Sequence, residues 1–357
     1  MSQKKLTPSK PPLQGQKSFV APKKIAIALQ GGGAHGAFTW GVLDKFLEDG
    51  RFEIEGLSGT SAGGLNAVAL AQGLMNGGLK GAREELYRLW RSIADLSIFS
   101  PLKPLPYEMM TGYYNLDNSP GYLALNFLMG LFSPYEINPM GFNYFRDFIG
   151  DFFDFDLLSQ CPTKLFLCAT QVSSGKLKIF STHEMSLDAL MASACLPNMF
   201  HSVKIGDEHY WDGGFVGNPP IYPLIDSCET SDIVVIQLSV MSRKLLPRSA
   251  SEIIERHKEI TYNSCLMREM RSIDFVTDLI DKGLIPKDKI KRLFMHLIRD
   301  EALFCSLELS SALNSSWDFL EFLYTHGRQV ATSWIKEHYD GVGVRTTTNI
   351  HKEFVAN

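Results

Sequence analysis

A chain of 357 residues is long enough to bury a large core, and 45% hydrophobic with 21% charged residues is the composition of a globular protein, not of a disordered or fibrous one. A formal net charge of −4, with Lys and Arg dispersed, excludes the basic footprint of a nucleic-acid binder. The six cysteines have no metal-ligand spacing and read as free thiols of a reducing cytoplasm.

Residues 1–22 are expected to form a disordered basic leader: Lys4, Lys5, Lys10 and Lys17 stand among Ser, Pro and Gln, and a weak electrostatic membrane tether is its alternative reading. No apolar signal-peptide core precedes Phe19, and no apolar run of about 18 residues predicts a transmembrane helix. Ile25 to Leu29 predicts a strand and Ala37 to Glu48 a helix, joined by Gln30-Gly31-Gly32-Gly33-Ala34-His35-Gly36. Contiguous glycines let backbone amides crowd an anion, which suits a phosphate or an oxyanion. The loop lacks the Gly-Lys-Ser/Thr of a P-loop, and Asp44 comes too early for a dinucleotide fingerprint. A plain strand-to-helix turn is the alternative.

A strand over 52–57 then runs into Gly59-Thr60-Ser61-Ala62-Gly63, followed by a small-residue helix over 62–74. Strand, sharp turn and helix are the context of a nucleophile elbow: the neighbours Gly59 and Gly63 lack bulk, and the hydroxyl sits at a helix N-terminus that favours a negative oxygen. A helix is predicted over 82–94. Residues 97–160 break the alternation, with aromatic and Met residues punctuated by Pro and little charge from Asn118 to Pro134. This apolar insertion reads as a lid or cleft wall, or as a helical insertion packed into the core.

Strands are predicted at 164–170, 176–180, 203–211 and 232–240, with helices at 186–195 and 219–227. Trp211-Asp212-Gly213-Gly214 ends one of these strands, where an ordinary Asp-Gly turn competes with a functional carboxylate. The alternation argues for an α/β protein with a mostly parallel sheet between helices, ligands lying at the carboxyl ends of the strands. Residues 241–357 are expected to form a helical extension packed on the core. It would hold a helix over 251–282, a strand over 289–299, a final helix from Trp317 to His338 and a frayed tail beyond Thr346.

Three glycine-framed polar loops in this order resemble the patatin-like phospholipases, over about residues 23–240. The resemblance implies a three-layer α/β/α fold, with Ser61 as nucleophile, Asp212 as its base and the oxyanion hole at Gly31, Gly32, Gly33 and Ala34. It sets His35, Gly36, Gly213 and Gly214 beside them, and likens Ala192 to Pro197 to the family's small-residue helix ending in proline. Where the family usually carries Arg or Lys this chain has His35, whose part would then depend on pH near the reference value of about 6.5. Asn314 to Leu320, with Gly327-Arg328, resembles the tail of a bacterial subgroup.

The implied activity is a serine lipid acyl hydrolase on phospholipid or lysophospholipid, without metal or cofactor and with peripheral membrane contact. The implied location is cytoplasmic, with delivery into a host cell left open. A soluble carboxylesterase or thioesterase, or a non-catalytic lipid-binding protein, are the alternatives. None of the nine histidines matches the base of a triad. His209 precedes Asp212 by an odd offset, which in a strand points the two side chains apart, so a Ser-Asp dyad is preferred.

Overall fold

A computed structural model describes residues 21–356 apart from 244, 287 and 288; the N-terminal leader of the sequence reading thus falls almost wholly outside the described residues. The strands are β1 (Lys23–Leu29), β2 (Phe52–Gly59), β3 (Lys164–Gln171), β4 (Leu177–Ser181), β5 (Val203–Ile205), β6 (Glu208–Asp212), β7 (Asp232–Ile236) and β8 (Phe294–Ile298). The helices of the first half are α1 (Gly36–Asp49), α2 (Ala62–Leu96), α3 (Pro106–Thr111), α4 (Pro120–Leu131), α5 (Pro134–Ile137), α6 (Tyr144–Phe152) and α7 (Phe155–Leu158). Those of the second are α8 (Leu187–Ser193), α9 (Tyr222–Ser227), α10 (Ala250–Asp281), α11 (Glu301–Ser306) and α12 (Trp317–His338).

The sheet runs β5-β6-β3-β2-β1-β7-β8, with β4 also paired to β3. The five strands from β3 to β8 along this path are parallel, and β4, β5 and β6 join antiparallel at one side. Apolar runs such as Ile233-Val234-Val235-Ile236 are buried on both faces, as a parallel strand covered by helices must be. This is the mostly parallel α/β architecture expected.

Four local expectations change. Residues 203–211 form a hairpin, because Gly206 at φ 63° turns the chain back between β5 and β6. The strand over 232–240 stops at Ile236: the amides of Leu238 and Ser239 are taken at 2.6 and 2.9 Å by the side-chain oxygen of Gln30 instead of a neighbouring strand. Helices 62–74 and 82–94 join in α2 across a kink where Gly77 and Gly78 leave helical geometry. The tail does not fray. Thr347 donates its amide to Met295, and Ile350 and Phe354 are buried against Met270 and Ile273 of α10.

The C-terminal region is therefore built into the core. β8 extends the sheet, and α12 lies along α1. Asp44 of α1, almost fully buried, is held by Arg328 and Tyr324 of α12 and by Arg83 of α2. A buried carboxylate satisfied from two other helices locks the relative register of all three. Phe354→Ala should lower the unfolding free energy by about 3 kcal/mol in a denaturant titration, whereas a frayed tail would give a change below about 0.5 kcal/mol.

Candidate active site

The turn after β2 is strained in a specific way. Ser61 has φ 54° and ψ −123°, and is the non-glycine residue with positive φ among those described. A non-glycine residue there costs on the order of 1–3 kcal/mol, so its surroundings must hold it. They do: the Ser61 amide donates to both the carbonyl and the hydroxyl oxygen of Ser193 at 3.1 Å, and Thr60 Oγ1 donates to the Gly217 carbonyl at 2.6 Å. Gly63 allows the sharp entry into α2, since a Cβ there would stand 2.2 Å from the Leu29 carbonyl oxygen.

The glycine loop after β1 packs directly on this turn. A Cβ on Gly31 would meet the Thr60 carbonyl oxygen at 2.6 Å and Ser61 Cβ at 3.0 Å. Gly33 combines φ 58° with a space closed by the Ala312 carbonyl, 2.3 Å from where a Cβ would sit. The Gly31 amide donates to Asn218 Oδ1 at 2.7 Å and is not free for an oxyanion. The amides of Gly32, Gly33 and Ala34 have no partner among the described residues. Of these three, Gly32 and Gly33 border the cavity described next, while Ala34 faces the core.

Asp212 ends β6, fixed at both backbone groups: its amide donates to the Cys195 carbonyl at 2.8 Å, and its carbonyl accepts from Thr170 Oγ1 at 2.7 Å. The residue is 3% exposed. Oδ1 accepts the Gly214 amide at 2.7 Å, and the buried Oδ2 has no hydrogen-bond partner. Burial raises the carboxyl pKa from 3.8 to about 6, against the opposing pull of the Gly214 amide and then of the Ser61 side chain. Ser61 thus stands close enough to bias the carboxylate without making a hydrogen bond of ordinary geometry to Oδ2. Tyr262 of α10 closes over this corner, its ring filling the space left by the missing Cβ of Gly214. Its phenol is pushed up by burial and then by Asp212.

Ser61, Asp212, Gly31, Gly32, Gly33, His35 and Gly214 all border one cavity of about 350 Å³. Gly36, Gly59, Gly63 and Gly213 of the sequence reading lie behind it as packing positions. His35 departs from expectation. Burial holds its pKa at about 4, so it does not switch near 6.5. Ser311 Oγ already donates to the Glu308 carbonyl, which leaves the His35 Nε2–H to donate to Ser311 Oγ at 2.7 Å. The ring is a fixed neutral strut between the glycine loop and the C-terminal region. His209 is exposed, with Nδ1 2.8 Å from Ser202 Oγ, and His201 stacks on Tyr135; neither borders the cavity.

Gln30, Asn218 and Ser311 carry parts that the sequence reading did not assign. The buried Gln30 amide donates to the Asn218 carbonyl and to Asn263 Oδ1, tying the loop to α10. Asn218 stood in view as Asn218-Pro219-Pro220 just after the Asp-Gly-Gly loop; Ser311 offered no local signal. Among the described residues no cluster of His, Cys, Asp and Glu could hold a metal ion, and no helix is long and apolar enough to cross a membrane.

A serine elbow under a glycine turn, with an aspartate brought in by an antiparallel strand at the side of a parallel sheet, is a lipase-like variation on the α/β theme. The chain belongs to the patatin-like phospholipase family, whose model matches residues 27–225, and is by that membership a lipid ester hydrolase. Among solved structures it is similar to VipD from Legionella pneumophila, at 14% identity and a TM-score of 0.36, covering 93% of this chain and 73% of that one. It is also similar to ExoU from the type III secretion system of Pseudomonas aeruginosa, solved in complex with SpcU, at 15% identity and a TM-score of 0.32. That match covers 85% of this chain and 53% of ExoU, so the chain spans about half of ExoU's length. No curated protein matches it. The family match ends before Tyr262, which packs on Gly214, and before Asn263, Ser311 and Ala312, which touch the glycine loop or its supports Gln30 and His35.

The neutral state of His35 is directly observable. Its ring nitrogen shifts in NMR should remain those of the Nε2–H tautomer from about pH 8 down to about pH 5. A titration centred near 6.5 would mean an imidazole in contact with water.

Proposed function

We propose that the chain hydrolyses fatty-acyl esters of phospholipids or lysophospholipids through a Ser61–Asp212 dyad and an acyl-enzyme. The observation that carries this reading is the unpartnered, buried Oδ2 of Asp212 beside Ser61 in one cavity. A serine hydroxyl is a poor nucleophile until a base takes its proton. A carboxylate with its pKa near 6 is a better base than a solvated one and remains mostly ionised at neutral pH.

In the proposed reaction Ser61 Oγ attacks the ester carbonyl carbon as Asp212 takes its proton. The charge on the former carbonyl oxygen is met by the Gly32 and Gly33 amides. The tetrahedral intermediate collapses, the ester C–O bond breaks, and the alcohol leaves with the proton from Asp212. Water then attacks the acyl-serine and gives a proton to Asp212; fatty acid is released and Ser61 Oγ recovers its proton. The cavity wall beyond the dyad is largely apolar, with Met129, Leu238, Phe304 and Leu307, which suits an acyl chain. The Ala34 amide is left out of this assignment, because Ala34 is not among the residues that border the cavity.

The substrate test is lipid mass spectrometry after incubating the protein with a mixed membrane extract. Wild type should release fatty acid from glycerophospholipids, and Ser61→Ala and Asp212→Asn should each lower the rate by about 10³-fold or more. Turnover of soluble short-chain esters with intact membrane lipids would favour a carboxylesterase instead, and full activity of Ser61→Ala would remove the dyad.

Two pH effects follow from the raised carboxyl. The rate on a soluble ester should rise with pH through about 6, as Asp212 loses its proton. The folded pKa lies above the unfolded value, so the folded state binds the proton more tightly, and stability falls as pH rises from about 4 to about 6. Asp212→Asn should therefore be the more stable protein by about 2–3 kcal/mol at about pH 8. Denaturant midpoints should show the gain shrinking below pH 6 and gone near pH 4.

A further inference from the structure

Helix α4 is an apolar helix without a core to enter. No ionisable Asp, Glu, Lys or Arg occurs from Asn118 to Tyr135, and no residue of α4 is buried. Leu123, Phe127 and Leu131, at i, i+4 and i+8, form one stripe and are 55%, 66% and 60% exposed. A second stripe, Tyr122, Asn126 and Met129, borders the cavity that holds Ser61. The helix thus has one side on the site and the other in water. A contiguous stripe of large apolar side chains on a water-facing helix marks a surface that something else covers.

We propose that this outward stripe docks the protein on the face of a lipid bilayer, with the cavity mouth held against the membrane. The inference rests on the lipid-hydrolase reading above and deepens it. Two features choose a bilayer over a protein. The covering surface must also deliver its contents past the inner stripe of the same helix, and a bilayer does both at once. The chain on either side of α4 carries the exposed tyrosines Tyr107, Tyr113 and Tyr144, the side chain suited to the headgroup level of a membrane. With no charge on the helix, the attraction is burial of apolar area and not pairing with anionic lipid.

The test uses the full chain with Ser61→Ala, so that binding is read without turnover, and sedimentation with neutral phosphatidylcholine vesicles. The parent should partition onto them, and equally in about 1 M salt, where charges are screened beyond about 3 Å. Adding Leu123→Asp, Phe127→Asp and Leu131→Asp together should cut the partition at least ~30-fold. Phe275→Asp is the control: that residue is 64% exposed but lies about 20 Å further along α10 from Tyr262, and its change should leave partition alone. In a background with Ser61 intact, the triple variant should keep hydrolysis of a soluble short-chain ester within about twofold, since its positions do not border the cavity.

The proposal is overturned by a parent that ignores the vesicles, by binding that collapses in salt, or by equal loss in the Phe275 control. It is also overturned if the parent sediments as a lipid-free dimer that the triple variant dissolves, since the stripe would then meet a second copy. Failure of the dyad alone would leave vesicle binding unchanged, so the two readings fail separately.

Discussion

A carboxylate kept at 3% exposure, with one oxygen on an amide and the other beside the Ser61 hydroxyl without an ordinary hydrogen bond, opposes folding, and Asp212 is in that state without a cation to relieve it. The same desolvation that raises its energy raises its basicity. A lysine or arginine placed against it would stabilise the protein and return the carboxyl toward the ordinary range. In the proposed reaction the missing counter-ion is thus the condition for activity, and the surrounding structure must supply the stability that this corner withholds. The supports are visible: the Cys195 and Thr170 contacts fix the backbone of Asp212, Gly214 supplies one hydrogen bond, and the Tyr262 ring packs on Gly214.

These supports come from both ends of the chain. The glycine loop and elbow follow parallel strands of the matched family region, and parallel order places their turns side by side at the carboxyl end of the sheet. The far wall comes from residues beyond that region. Ala312 closes on Gly33, Ser311 holds His35, Asn263 holds Gln30, and α12 is locked to α1 through Asp44. The C-terminal region is structurally a part of the site, so its length and sequence bear on the shape of the cavity as directly as the glycine loops do.

The elbow was suggested by its local pattern of strand, small-residue turn and helix, whereas the glycine loop and the Asp-Gly-Gly turn, each open to a plain turn when read alone, drew their implied roles from the family resemblance of all three in order. The alternation of strands and helices was likewise legible from local pattern. Contacts across the sheet were not: nothing near Gly31 predicts that Asn218 takes its amide, and nothing near His35 predicts a serine at 311 that turns an apparent switch into a buried neutral strut. Strand ends at 236 and 205 were missed because a long-range Gln30 contact ends one and the positive-φ Gly206 folds the chain back after the other. Helix α4 shows the limit of periodicity. An apolar helix reads alike whether it enters a core or faces outward, and only the packing distinguishes the two.

The central claim is that Ser61 is activated by a desolvated Asp212. The measurement that tests it most directly is the rate of covalent modification by a fluorophosphonate followed across pH, with the site mapped by peptide mass spectrometry. The account predicts label on Ser61 alone, a rate rising through about pH 6, and a loss of about 100-fold or more in Asp212→Asn. Label on another residue, or a rate that Asp212→Asn leaves unchanged, would contradict it.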